Sequence, residues 1–176
     1  MHATRRDDRI VLKFGPFETQ TLGRALDSML RNYQADPAQL DPRIAAVWYS
    51  TRGCRTAGMS EEETREWRQA LHGFKSANLK LIKAWARQLA AGGKGTYRQL
   101  SLTRQEAEAL LSVLNDHRLL LAAQHEIGQA EMDLHSLEAL RELKPDRQFA
   151  LCEIHLLAWI IEEILRVTAP EAASWQ

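Results

Sequence analysis

Twice in this chain the start of a helix is written out as a complete motif. Ser60 is followed three residues on by Glu63, and Thr103 by Glu106. In such a capping box the hydroxyl accepts from the third helical N–H while the carboxylate reaches back to the cap's own N–H. Two donors that a helix end leaves unpaired are thereby satisfied. After each box comes a long proline-free stretch whose apolar residues recur every three or four positions. This spacing predicts one helix from 60 to about Leu89, stopped in "AAGGKG", and another from Thr103 to Gly128. Helices of that length must bury an apolar stripe on other elements, so the fold is built on helix packing.

The remaining elements fit around them. "DRIVLKFG" alternates Ile10, Leu12 and Phe14, and "YRQLSLT" offers Tyr97, Leu100 and Leu102, so both read as short half-buried strands. Pro16 stands at a first helical position before Leu22, Leu26 and Leu30. Residues 35–59 read as a long connection with a short helix near 42–49, pinned by Trp48 and Tyr49. The expectation is a mainly α fold, a bundle of about four principal helices with a short two-stranded β element. Residues 1–176 form one domain: strand plus helix over 8–34, a long helix over 60–92, strand plus helix over 96–128, and a C-terminal core helix over 146–168. Sliding the chain by 88 residues lays Leu12, Phe14, Glu18, Leu22 and Leu26 on Leu100, Leu102, Glu106, Leu110 and Leu114. An old duplication gives that match, and so do two helix starts that look alike.

Twenty-three basic residues balance twenty-three acidic ones, so no global charge points to nucleic acid or a membrane. No stretch reaches eighteen uninterrupted apolar residues, the opening "MHATRRDDRI" lacks the apolar core of a secretory signal, and two cysteines make no disulfide framework. Cytoplasmic residence is the expectation.

Candidate chemistry gathers in "SVLNDHRLLLAAQH". On a helical wheel Ala107, Leu110, Leu111, Leu114, Leu121 and Ala122 form a stripe, and Arg118 and His125 project inside it. His117 lies at the edge, Asp116 points to water, and Asn115 can share a side with Arg118. A buried guanidinium needs a partner, and Glu153 or Glu163 on the last helix can supply it. Asn115, Arg118, His125, Glu153 and Glu163 are therefore expected as a buried polar cluster. The same cluster also fits a metal-binding protein or an enzyme with a polar site around Arg118, His125 and Glu163. Against a metal, "EIH" puts Glu153 and His155 two apart, not the three of a di-iron helix, and no HExxH is present. The expectation is no cofactor. Cys54 reads as an incidental loop residue between arginines, and Cys152 as core.

Charge is placed unevenly. From Trp67 to Arg98 there is no acidic residue, and Arg68, His72, Lys75, Lys80, Lys83 and Arg87 gather on one side of the wheel. From Gln105 to Glu163 twelve acidic residues face four basic ones. The basic face is solvated, complements the chain's own acidic helices, or meets an acidic protein partner. The absence of a recognised motif argues against nucleic acid.

The motif Leu114-Asn115-Asp116-x-Arg118-Leu119-x-Leu121-Ala122, after Thr103-x-x-Glu106-Ala107, resembles one in the bacterial domain of unknown function 2017. The opening strand, Glu18, Trp159 and Glu162 or Glu163 extend the likeness over most of residues 8–168. The resemblance marks Asn115, Asp116, Arg118 and Leu121 for inspection. It implies, by gene neighbourhood with the adaptor of the Clp protease, a link to bacterial protein quality control. The function expected is a non-catalytic helical interaction or scaffold protein, with a protein partner or a homodimer formed through a face bearing Trp67 and Trp85.

Overall fold

The computed structural model describes residues 1–50, 52–91, 97–134 and 137–168. Strands β1 (His2–Arg6), β2 (Arg9–Phe14) and β3 (Arg98–Thr103) form an antiparallel sheet in the order β1-β2-β3. The helices are α1 (Pro16–Gln34), α2 (Pro42–Trp48), α3 (Arg52–Thr56), α4 (Glu61–Ser76), α5 (Leu79–Ala90), α6 (Arg104–Gln124), α7 (Gln129–Met132), α8 (Leu137–Glu142) and α9 (Pro145–Thr168). A 3-10 turn, Pro37–Gln39, precedes α2. The protein is mainly α. Among the described residues five helices exceed ten residues, not four, and the sheet has three strands, not two.

The predicted pair of strands forms, and alternation is the reason. Ile10, Leu12 and Phe14 on β2 are buried with Leu100 and Leu102 on β3, while Tyr97 lies outside the strand and exposed. The extra strand is an edge strand, charged at Arg5 and Arg6 and buried only at Ala3, so no apolar alternation marks it. A two-residue turn joins it to β2, with Asp7 in the left-handed region at φ 53°.

Leu12 and Leu100, which the 88-residue shift equates, are direct cross-strand partners in the sheet. Each strand runs into a long helix, β2 into α1 and β3 into α6, of which only α6 has a side-chain cap. Helix α1 then packs on α5 much as α6 packs on α9. The antiparallel pairing thus relates β2 and β3 by a local two-fold passing between these leucines.

Both capping boxes are present as read. The long helix expected from Ser60 is instead two. Asn78 flattens to ψ −6°, and its N–H bonds back only three residues, to the Lys75 carbonyl, so α4 and α5 part at Ala77–Asn78. The glycines in which it was expected to stop, and the tail after Thr168, lie outside the described residues.

Helix α6 ends before Gly128. Glu126 takes the left-handed position at φ 53°, and the Ile127 N–H donates to the Ala122 carbonyl, a Schellman end that buries Ile127. Gly128 instead caps α7. The core is one cluster running from Leu12 and Phe14 through Leu22, Met29 and Trp85 to Leu110 and Ile154.

Candidate functional site

Helix α6 is covered on two sides. Ala107, Leu110, Leu114 and Leu121 meet the core as the wheel predicts, but Val113, Asp116, His117 and Leu120 are buried as well. The expectation that Asp116 points to water is therefore corrected: it is only 7 % exposed. The reason is α2, which packs along α6 on the side a single-stripe reading leaves to solvent.

Asp116 is the centre of a knot between four helices. Its Oδ2 accepts from the Tyr33 hydroxyl on α1 and from Lys75 Nζ on α4, each at 2.5 Å. Its backbone carbonyl accepts from Trp48 Nε1 on α2 at 3.0 Å. The Lys75 ammonium also lies 5.4 Å from the centre of the Trp48 ring. Tyr33 and Trp48 are stacked at a tilt, 5.5 Å apart. Beside them the Tyr49 hydroxyl and His72 Nδ1 are 3.0 Å apart, a second tie from the end of α2 to α4.

Burial pushes the Tyr33 phenol far up, with the charge and hydrogen bond of Asp116 adding to it. Tyr49 is pushed up to about 12 by burial first and Asp116 second. Both phenols stay neutral near pH 7 and act as hydrogen-bonding groups. The carboxylate binds a cation and a hydroxyl together, so the knot fixes α1 and α4 against α6.

Tyr49, itself buried, backs onto the surface. It lines a groove of about 770 Å³ between the 3-10 turn, α2, α3 and α4, floored by Pro42 and Ala45 and walled by Arg55, Arg65 and Arg68. Arg65 pairs with Glu62 at 3.1 Å. Among the described residues Arg55 and Arg68 make no ion pair. Asp36, the groove's acid, already caps the 3-10 turn by accepting from the Ala38 N–H. The groove therefore carries uncommitted positive charge beside apolar surface.

The residues expected as one buried cluster are not brought together. Arg118 is half-buried, its Nε enclosed and without a partner among the described residues, and it meets neither Glu153 nor Glu163. Glu153 takes His117 Nε2 at 3.0 Å and Arg24 at 3.6 Å. Glu163 pairs with Arg166 at 2.8 Å, which holds its carboxyl below the ordinary range. His125 stands 3.7 Å from Asp146, and Asn115 is exposed. Asp146 and Glu163 are about 25 Å apart along α9, so His125 and Glu163 share no site.

Of the basic face, Arg68, Lys80, Lys83 and Arg87 are exposed, whereas Lys75 and His72 turn inward. The break at Ala77–Asn78 rotates α5 away from the register that a continuous helix imposes. The cysteines are reversed from expectation, Cys54 buried and Cys152 exposed. Trp85 is core and Trp67 packs against it, so the face bearing both is not an open surface.

Sequence reasoning missed Tyr33, Trp48 and Lys75 as partners of Asp116. The signal was Val113 and Leu120, apolar residues flanking Asp116 on a second face of α6.

Among the described residues no helix is long and apolar enough to cross a membrane. No curated protein and no solved structure matches the chain. The sequence profile of the family described as domain of unknown function DUF2017 matches residues 1–168, nearly the whole chain, and the protein belongs to that family.

Proposed function

We propose that this protein is a non-catalytic interaction module of the cytoplasm that receives an acidic segment of a partner protein in the groove between α2, α3 and α4. The observation that carries the reading is the pair Arg55 and Arg68, free of carboxylate partners among the described residues, on the walls of an apolar-floored groove. A carboxylate placed there gains charge-assisted hydrogen bonds from planar guanidinium groups. The segment's apolar side chains find Pro42, Ala45 and Ala46. Exposed Lys80, Lys83 and Arg87 on α5 raise the potential that steers an acidic partner in.

The test is a fluorescence-anisotropy titration with a labelled Glu/Leu-rich peptide, and with its Gln/Leu counterpart as control. The acidic peptide should bind with an affinity that weakens as salt rises, and Arg55→Glu with Arg68→Glu should reduce it by at least about tenfold. Equal binding of the neutral peptide, or binding indifferent to both charge reversals, would refute the reading.

A further inference from the structure

The sequence of α9 is apolar over a wide arc, and the structure divides that arc in two. Ala150, Leu151, Ile154, Leu157, Ile160 and Ile164 enter the core. Phe149, Cys152 and Trp159 do not, and Leu156 only borders it. These four follow one another at spacings of three, four and three, the pattern of the seam by which one helix packs on another. Phe149 is 76 % exposed, Trp159 is 38 % exposed, and Cys152 is exposed. Across a cleft of about 390 Å³ stands Phe17 at the start of α1, itself 67 % exposed, with Leu121 on the floor.

We infer that this face is the interface with a second copy of the chain, α9 packing on α9 of the partner about a two-fold axis. Charge gives the first reason. The cleft carries charges of both signs, Arg24 beside Asp146 and Glu153, with the His125 imidazole among them. Arg24 and Asp146 are both more than half exposed, and their contacts inside the chain are long, 3.6 Å to Glu153 and 3.7 Å to His125. A surface bearing both signs is complementary to its own two-fold copy, as an isologous contact requires. A partner of one sign would meet like charge in this cleft.

Area gives the second reason. An aromatic side chain buries roughly 150–250 Å². Scaled by their exposures of 67 %, 76 % and 38 %, Phe17, Phe149 and Trp159 from each of two copies thus supply about 550–900 Å². Leu156, Leu121 and the stem of Arg24 add to this, towards the 1,200–2,000 Å² or so of a specific interface.

Sedimentation of the full chain at tens of micromolar should give twice 20.1 kDa. Phe149→Asp should halve that mass while leaving the far-ultraviolet circular dichroism and melting transition in place, because Phe149 supports no core. Cys152 is the exposed thiol and Cys54 is buried, so a short bismaleimide should link two chains through Cys152, and Cys152→Ser should abolish the link. A monomer at that concentration, including one that holds some other protein on this face, would overturn the inference. So would a dimer that survives Phe149→Asp. Neither result bears on the arginine groove, which lies on other helices.

Discussion

Lys75 on α4 and Asp116 on α6 are 41 residues apart in sequence, and their charges meet at 2.5 Å among aromatic rings. Helix α4 has no fully buried residue. Beyond the partly buried Trp67 and Leu71, its attachment rests on this pair and on the contact between His72 and Tyr49. Removing one partner of a buried pair leaves the other charge without water or counter-charge. Asp116→Ala should cost about 3–5 kcal/mol in urea unfolding, since it strands Lys75 and the Tyr33 hydroxyl together. Lys75→Met should cost less, because Tyr33 continues to donate to Asp116 and a methionine stem still covers Trp48. An equal cost for both variants would show that Tyr33 contributes nothing to holding the carboxylate.

Alkali tests the same knot from the side of the phenols. Tyr33 and Tyr49 have pKa values raised above the ordinary 10.0, chiefly by burial. A raised pKa in the folded state means stability that is complete below pH 10 and declines as the unfolded chain begins to release its phenolic protons. For Tyr49 the decline runs from about pH 10 to about 12. Unfolding free energy should fall with pH in that window, and the fall should be shallower in Tyr33→Phe. A stability that is flat from pH 9 to 12 would show that these hydroxyls are not enclosed as described.

How much of this was legible before the fold was known depends on how many neighbours each element has. Leu12 facing Leu100, Pro16 opening α1, and the two capping boxes follow from local chemistry, and the sequence carries them. A helix wheel assumes one buried face. It works for Leu110 and Leu114, but it sends Asp116 to water because α2 comes from a proline-rich connection whose course no periodicity fixes. The break after Ser76 has no proline or glycine to announce it, only Asn78. On α9 the apolar arc was legible, but its division between core and surface depends on where α1 and α6 end.

The end of α6 offers a prediction of opposite sign. Glu126 holds φ 53°, a conformation that costs an L-residue about 1 kcal/mol and glycine almost nothing. Its carboxylate is exposed and makes only a 3.8 Å contact with Arg43, which is worth little in water. Glu126→Gly should therefore raise stability by roughly 0.5–1 kcal/mol, read as a higher melting temperature. A loss of stability would mean that the contact with Arg43 outweighs the strained backbone.

Arg118 separates the sequence-based reading from the structure most directly. Had it been locked to Glu153 or Glu163, replacing it would cost about 3–5 kcal/mol, because an acid would be left buried and alone. In the structure both acids have other partners, and Arg118 has an enclosed Nε with no acceptor among the described residues. That unpaired N–H is a desolvation cost already present in the native state. Arg118→Leu removes it and keeps apolar contact on α6, so chemical denaturation should show stability unchanged or increased by up to about 1 kcal/mol. Arg118→Gln, which keeps a polar head without reach, should gain less than leucine. A severe loss in Arg118→Leu would show that the guanidinium has a carboxylate partner, which the described residues do not contain.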